Sequence, residues 1–161
     1  MRSIINKVEV FGVAMPLVGG GFKNAYVTKT VQKSAVIRIT DSDGRIGLGN
    51  IDPSPGYSAE SIEDSLKVLK EVLAPSMIGV DAFNIHELLI AMNKRVDHFY
   101  DAKAAIEMAC TDLICRKLDI PVYTYIGGQV VDTLLFNAWI GILPPDEAAT
   151  EAKKWFDKGF K

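Results

Sequence analysis

Apolar and polar side chains alternate along residues 4–16, with Val8 and Val10 on one face and Phe11 and Val13 on the other. This period of two predicts a first strand. A second is predicted at 33–40, where Ala35, Ile37 and Ile39 alternate against Val36 and Arg38. The turn Asp41-Ser42-Asp43-Gly44 ends in glycine and suits a hairpin leading into a short third strand from Arg45 to Gly49. The strands are interrupted by two loops. Residues 17–30 contain Gly19-Gly20-Gly21, and residues 50–57 contain two prolines and a glycine. The pattern is that of a three-stranded antiparallel meander.

From Ser58 onward the period changes to that of a helix. Ile62, Leu66, Leu69 and Leu73 form one apolar stripe, with Ser58 as the expected N-cap, Glu60 near the positive end and Pro75 as the stop. Asn84 and Glu87 have the spacing of a capping box, and Ile85, Leu88, Leu89, Met92 and Val96 give the following helix its buried face. The stretch 102–118 is apolar or small on nearly every side, which predicts a helix enclosed between two layers. Pro121 stops it, and Gly127-Gly128 allows a turn into a new segment. A strand is expected within 131–141. After Pro144-Pro145 a last helix is expected, with Asp146 and Glu147 in its first turn, Ala148, Ala152, Trp155 and Phe156 facing inward, and Gly159 at its end.

Composition changes this picture little. The 161 residues are 48% hydrophobic and 24% charged, ordinary for a soluble domain, and the net charge of -2 gives no electrostatic reason to expect nucleic acid or an anionic membrane as partner. No apolar run approaches a membrane span and the N-terminus lacks a signal-peptide profile, so a cytoplasmic location is expected. Cys110 and Cys115 lie on one predicted helix and point to different faces, so no disulfide is expected between them. Glu107 and Asp112 resemble a pair of acids, but on a buried helix they are expected to be satisfied by backbone or arginine partners. His86 and His98, twelve residues apart, have poor metal-ligand spacing.

The central stretch carries a resemblance. Ala102, Ala104, Ala105, Ile106, Glu107, Ala109, Asp112, Leu113, Arg116, Pro121, Val122, Gly127 and Gly128 are similar to the N-terminal signature of the mandelate racemase/muconate lactonizing enzyme family, within the enolase superfamily. The departures are Cys110, Cys115 and Tyr125-Ile126.

The resemblance implies an α+β chain. Residues 1–128 would form an enolase-like N-terminal capping domain, a three-stranded antiparallel meander plus helices. Residues 129–161 would supply the first strand and helix of a truncated (β/α) barrel, a fold that takes about 250 residues when whole. It further implies a metal-dependent isomerase or lyase that abstracts a proton alpha to a carboxylate, a cycloisomerase or racemase. Mg²⁺ or another divalent metal would be the cofactor. In the family the metal ligands and acid/base residues lie on later barrel strands, so no catalytic or metal residue is expected in this chain, and it is not expected to be active alone. The implied partners are a small carboxylate substrate, the C-terminal barrel portion and further copies in a homo-oligomer. The two loops would fold over the barrel mouth, making Phe22, Asn24, Tyr26, Ile51 and Tyr57 candidate substrate contacts, with Trp139 at the end of the first barrel strand. An acid-sugar or hydroxy-acid dehydratase of the same superfamily is the alternative. A non-catalytic module that self-associates through its last helix is a further one.

Overall fold

The computed structural model describes residues 2–160, which divide into two units. One takes the chain up to Ala14 together with Lys33–Gly128; the other takes Met15–Gln32 together with the chain from Gln129 onward. Among the described residues there are five strands: β1 (Ile5–Pro16), β2 (Phe22–Lys23), β3 (Thr28–Lys29), β4 (Val31–Asp41) and β5 (Ile46–Ile51). The larger sheet has the order β1-β4-β5, and β2 and β3 form a small antiparallel ribbon of their own.

In the first unit, β5 runs antiparallel to β4 with Ala35 opposite Ile51, Ile37 opposite Gly49 and Ile39 opposite Gly47. The period of two therefore puts Ala35, Ile37 and Ile39 on the buried face, and all three are fully buried. The helices of this unit are α1 (Ile62–Val68), α2 (Ala74–Ser76), α3 (Ile85–Arg95), α4 (Tyr100–Leu118) and α5 (Val122–Tyr125). Helix α4 is the enclosed one, with Ala102, Ala105, Ile106, Ala109, Cys110, Leu113 and Ile114 all sealed from solvent. It packs on β5 and on α1 and α3, and its core partners include Ile5, Leu69, Leu73, Met77, Leu88 and Met92. Asp112 meets the expectation for a buried-helix acid: its Oδ2 accepts from the Leu48 amide and the Arg116 Nε, both at 2.9 Å. Glu107 does not meet it, since neither a backbone group nor an arginine is bonded to its carboxylate among the described residues.

Several element ends differ from expectation. The N-cap of α1 is Ser61 and not Ser58; its hydroxyl accepts from the Asp64 amide at 3.1 Å and donates to the Asp64 carboxylate at 2.7 Å. The apolar stripe fixed the helix but not which of two nearby serines closes it. Pro75 does not stop the helix either. The turn Leu69–Leu73 widens to a π-helix, and the chain continues to Ser76. A wider turn accommodates the missing proline amide and its ring, so the helix is reshaped and not broken. Asn84 makes no backbone cap; its Nδ2 donates to Glu87 Oε2 at 3.0 Å instead. Before α4, His98 (φ 59) and Phe99 (φ 52) are both left-handed, and buried Lys103 donates to Asn93 Oδ1 and the Val96 carbonyl at 2.8 Å each across this corner.

In the second unit α6 (Pro145–Asp157) has the expected ends, with Pro145 at its start, Asp146 and Glu147 in its first turn, and Gly159 (φ 94) just beyond its end, but the expected inward stripe is not buried: Ala148 and Trp155 are half-buried, while Ala152 and Phe156 are exposed. Its Trp155 ring meets Phe160 edge-on at 5.2 Å. Residues 131–141 are not a strand: they have no ladder partner and lie outside any helix or strand, with Leu134, Leu135 and Phe136 exposed. A strand is defined by its neighbour, and no strand of this unit pairs with that segment.

Candidate functional site

The predicted loop 17–30 is a hairpin built on β2 and β3, with Phe22 opposite Lys29 and Lys23 opposite Thr28. Its base is closed by a bond from the Leu17 amide to the Thr30 carbonyl, 2.9 Å. Gly21 is required there. Its φ is +111, and a Cβ on it would stand 2.1 Å from the Lys29 carbonyl oxygen. Asn24 makes the tip. Its Oδ1 accepts from the Tyr26 amide at 2.9 Å and the Val27 amide at 2.8 Å, and its own amide donates to the Val27 carbonyl at 3.0 Å. This is the local side-chain-to-backbone bonding for which asparagine favours turns.

Phe22 is half-buried because the Trp139 ring meets it edge-on, with centroids 4.8 Å apart and planes at 83°. The segment carrying Trp139 is tied to the hairpin by a bond from the Ile142 amide to the Lys23 carbonyl, 2.8 Å, and Gly141 leaves room for that approach. Lys29 Nζ stands 6.0 Å from the Phe22 centroid and donates to Gln32 Oε1 at 2.9 Å. Tyr26, at the tip, is 61% exposed. Four of the six candidates thus share one unit, and the structure adds a cation beside two of them. Lys29 was passed over in the sequence, although one signal for it existed: between Glu9 and Asp41 the chain has no acidic residue and four basic ones.

The other two candidates belong to the first unit. Ile51 closes β5 opposite Ala35 and is 7% exposed, so its side chain is part of the core and not of a loop surface. The alternation of β5 runs through residue 51 and turns it inward. Tyr57 lies in the turn after β5, its amide donating to the Ser54 carbonyl at 3.1 Å, with its side chain 70% exposed. With Ser61 as N-cap, Tyr57 is out of register for a hydrophobic staple on α1.

Among the described residues no cluster of three His, Cys, Asp or Glu side chains could hold a metal ion. His86 and His98 are exposed, one in the first turn of α3 and one beyond its end. Also among the described residues, no helix is long and apolar enough to cross a membrane.

The hairpin and the sheet with its enclosed helix have close counterparts. N-succinyl-L-Arg/Lys racemase from Bacillus cereus is 29% identical over 157 residues, 98% of this chain and 42% of the racemase. The crystal structure of the N-succinyl Arg/Lys racemase from that organism superposes with a TM-score of 0.91 over 99% of this chain. A dipeptide epimerase from Enterococcus faecalis, complexed with Mg and the dipeptide L-Leu-L-Tyr, is 29% identical with a TM-score of 0.90, covering 99% of this chain and 44% of the epimerase. Muconate lactonizing enzyme from Pseudomonas fluorescens, complexed with muconolactone, is also 29% identical with a TM-score of 0.90, over 98% of this chain and 43% of that enzyme. The chain thus spans well under half the length of these relatives. Residues 6–127 match the family model of the mandelate racemase / muconate lactonizing enzyme N-terminal domain. With its α+β architecture and antiparallel sheet, the chain belongs to the mandelate racemase / muconate lactonizing enzyme family and carries the family's N-terminal capping domain.

Proposed function

We propose that this chain is the substrate-capping part of a metal-dependent enzyme that abstracts a proton alpha to a carboxylate, working as a racemase, epimerase or cycloisomerase. The family match over residues 6–127 carries this reading, supported by relatives that are themselves racemases, epimerases and cycloisomerases. In this proposal residues through Gly128 form the cap, and residues from Gln129 open a barrel domain.

The contribution of this chain is to bind and enclose. Phe22 and Trp139 offer two perpendicular ring faces to the apolar body of a small acid. Asn24 fixes the hairpin tip that presents Tyr26; in the first unit, Tyr57 is a separate exposed candidate contact on its own turn. A cap of this kind excludes water, which strengthens every charge interaction beneath it. Among the described residues no cluster of His, Cys, Asp or Glu fits a metal centre, so no step is assigned to a metal here. The proton-transfer groups are likewise not assigned to this chain.

The test is exchange. The full-length protein is incubated in deuterated water with a panel of N-acyl amino acids, dipeptides, unsaturated diacids and polyhydroxy acids (acid sugars), and loss of the alpha-proton signal is followed by NMR. Exchange at the carbon beside the carboxylate is expected for at least one class. Exchange with none of them overturns the proposal, and loss of water to a keto acid selects the dehydratase alternative.

A further inference from the structure

We infer, resting on the capping role proposed above, that Glu60 is a positioning residue. By bonding to the first turn of the enclosed helix α4, it holds the turn that carries Tyr57 where Tyr57 meets substrate. The link starts from a need of the backbone. The first amides of a helix require acceptors, and α4 has none of its own: Phe99 stands at the N-cap in a left-handed conformation, with no side-chain cap bond. Glu60 supplies one from another element. Its Oε1 accepts from the Asp101 amide at 2.8 Å, which sets a carboxylate at the positive end of α4. Its Oε2 accepts from the hydroxyl of Ser65 in α1, a residue fully buried in the core. Each carboxylate oxygen is thus engaged on a different helix.

The same residue ends the turn after β5. That turn is closed on itself: the amides of Tyr57 and Ser58 donate to the Ser54 carbonyl at 3.1 and 3.0 Å, and the Ser54 amide donates to the Ser58 hydroxyl at 3.3 Å. These bonds fix the shape of the turn and leave its orientation to its two ends. Pro53 is buried on the near side and Glu60 is half-buried on the far side, while Pro55, Gly56, Tyr57 and Ala59 between them are exposed. Glu60 lies three residues from Tyr57 and is tied to a helix whose Ala102, Ala105 and Ile106 are sealed in the core. Without the carboxylate the far end is released, the turn swings as a body, and binding must then bear the cost of ordering it.

The alternative role for Glu60 is to cap α4 and nothing more. The two are separated in the full-length protein by measuring kcat and KM for alpha-proton exchange together with the melting temperature. Glu60→Ala is expected to raise KM about tenfold and to leave kcat within about threefold. Glu60→Gln keeps an acceptor for the Asp101 amide and is expected to stay within about threefold of wild type in KM. Tyr57→Ala is expected to raise KM as well. In that background Glu60→Ala should add less than about twofold, because the turn no longer has a ring to present. Where Glu60→Ala does not fold, Glu60→Asp, one methylene too short to reach both donors, replaces it in the cycle. A lower melting temperature with unchanged KM, an unchanged KM in Tyr57→Ala, or effects at the two positions that simply multiply overturns the inference while the capping role stands. Exchange with no acid at all brings down the capping role and this inference together.

Discussion

The backbone of Gly49 runs so close to α4 that a methyl group on Gly49 would stand 2.0 Å from the carbonyl oxygen of Ala105. Two residues earlier on the same face of the strand, Gly47 meets the Ala109 carbonyl in the same way, at 2.1 Å. The sheet and the enclosed helix therefore touch backbone to backbone, made possible by glycine on one side and alanine on the other. Neither contact can relax by turning a side chain. Gly49→Ala is expected to lower the unfolding free energy by about 3 kcal/mol or more, at or above the upper end of ordinary overpacking. A urea melt with an unchanged midpoint would show that the strand and helix can separate freely.

Asp41 gathers the N-terminal segment, the β4–β5 turn and the end of α4 around one carboxylate. Burial alone would raise its pKa. That effect is outweighed by the Ser3 hydroxyl at 2.7 Å, the amides of Arg45 and Asp43, and the charge of Lys117, which together hold it below the ordinary aspartate value. A folded-state pKa below the unfolded one means that stability from this group is complete above the unfolded value of 3.8 and is lost as pH falls through the folded value. Wild type is expected to lose thermal stability on acidification below about pH 4. Asp41→Asn is expected to be less stable at pH 7 by about 1–3 kcal/mol and to show a flatter acid limb. Parallel acid limbs for the two proteins would refute this.

Burial, reinforced by the negative charge of Glu107, pushes the Cys110 thiol up to about 12. Cys115 is raised too, by burial and by Asp112. Both side chains are sealed in the core. Because the thiolate is the reactive form, neither is expected to react with an aromatic disulfide reagent at pH 8 faster than the protein unfolds. Rapid labelling without denaturant would contradict the burial of α4.

Asn24 closes the hairpin through one carboxamide oxygen, and removing it leaves the amides of Tyr26 and Val27 without their acceptor. Asn24→Ala is expected to raise KM of the full-length enzyme about tenfold, consistent with loss of a few hydrogen bonds' worth of ordering. The melting temperature should change little, because the core lies in the other unit. Asn24→Asp keeps the acceptor and should be milder. Equal losses in both variants would argue against the turn as the cause.

The strands β1, β4 and β5 and the enclosed helix were legible because burial imposes a period that side-chain identity records directly. Val8 with Val10, and Ile37 with Ile39, are examples. Interior pairing across β5 was less so: Gly47 and Gly49 carry no side chain to signal how near α4 comes. The caps were ambiguous for a different reason. Ser58 and Ser61 are chemically equivalent, and only the Asp64 carboxylate three residues on, bonded to Ser61, distinguishes them. Of the candidate site, Phe22 and Trp139 were named as separate contacts, and their edge-on meeting is a long-range fact no local pattern encodes. Ile51 was misplaced by reading a strand as ending two residues early. The segment 131–141 has the composition of a strand, but composition cannot provide the neighbour that makes one.

The corner at His98 and Phe99 has a consequence for anyone wishing to harden this fold. Two adjacent non-glycine residues in the left-handed region hold energy that the surrounding bonds of Lys103 keep in place. His98 is exposed, and its ring meets Tyr100 edge-on at 6.2 Å, so exchanging it for a residue at home in that geometry costs that surface ring contact and disturbs no core packing. His98→Asn would relax the bend and make the protein more heat-resistant by about 0.5–1 kcal/mol, a margin the natural chain has left unclaimed.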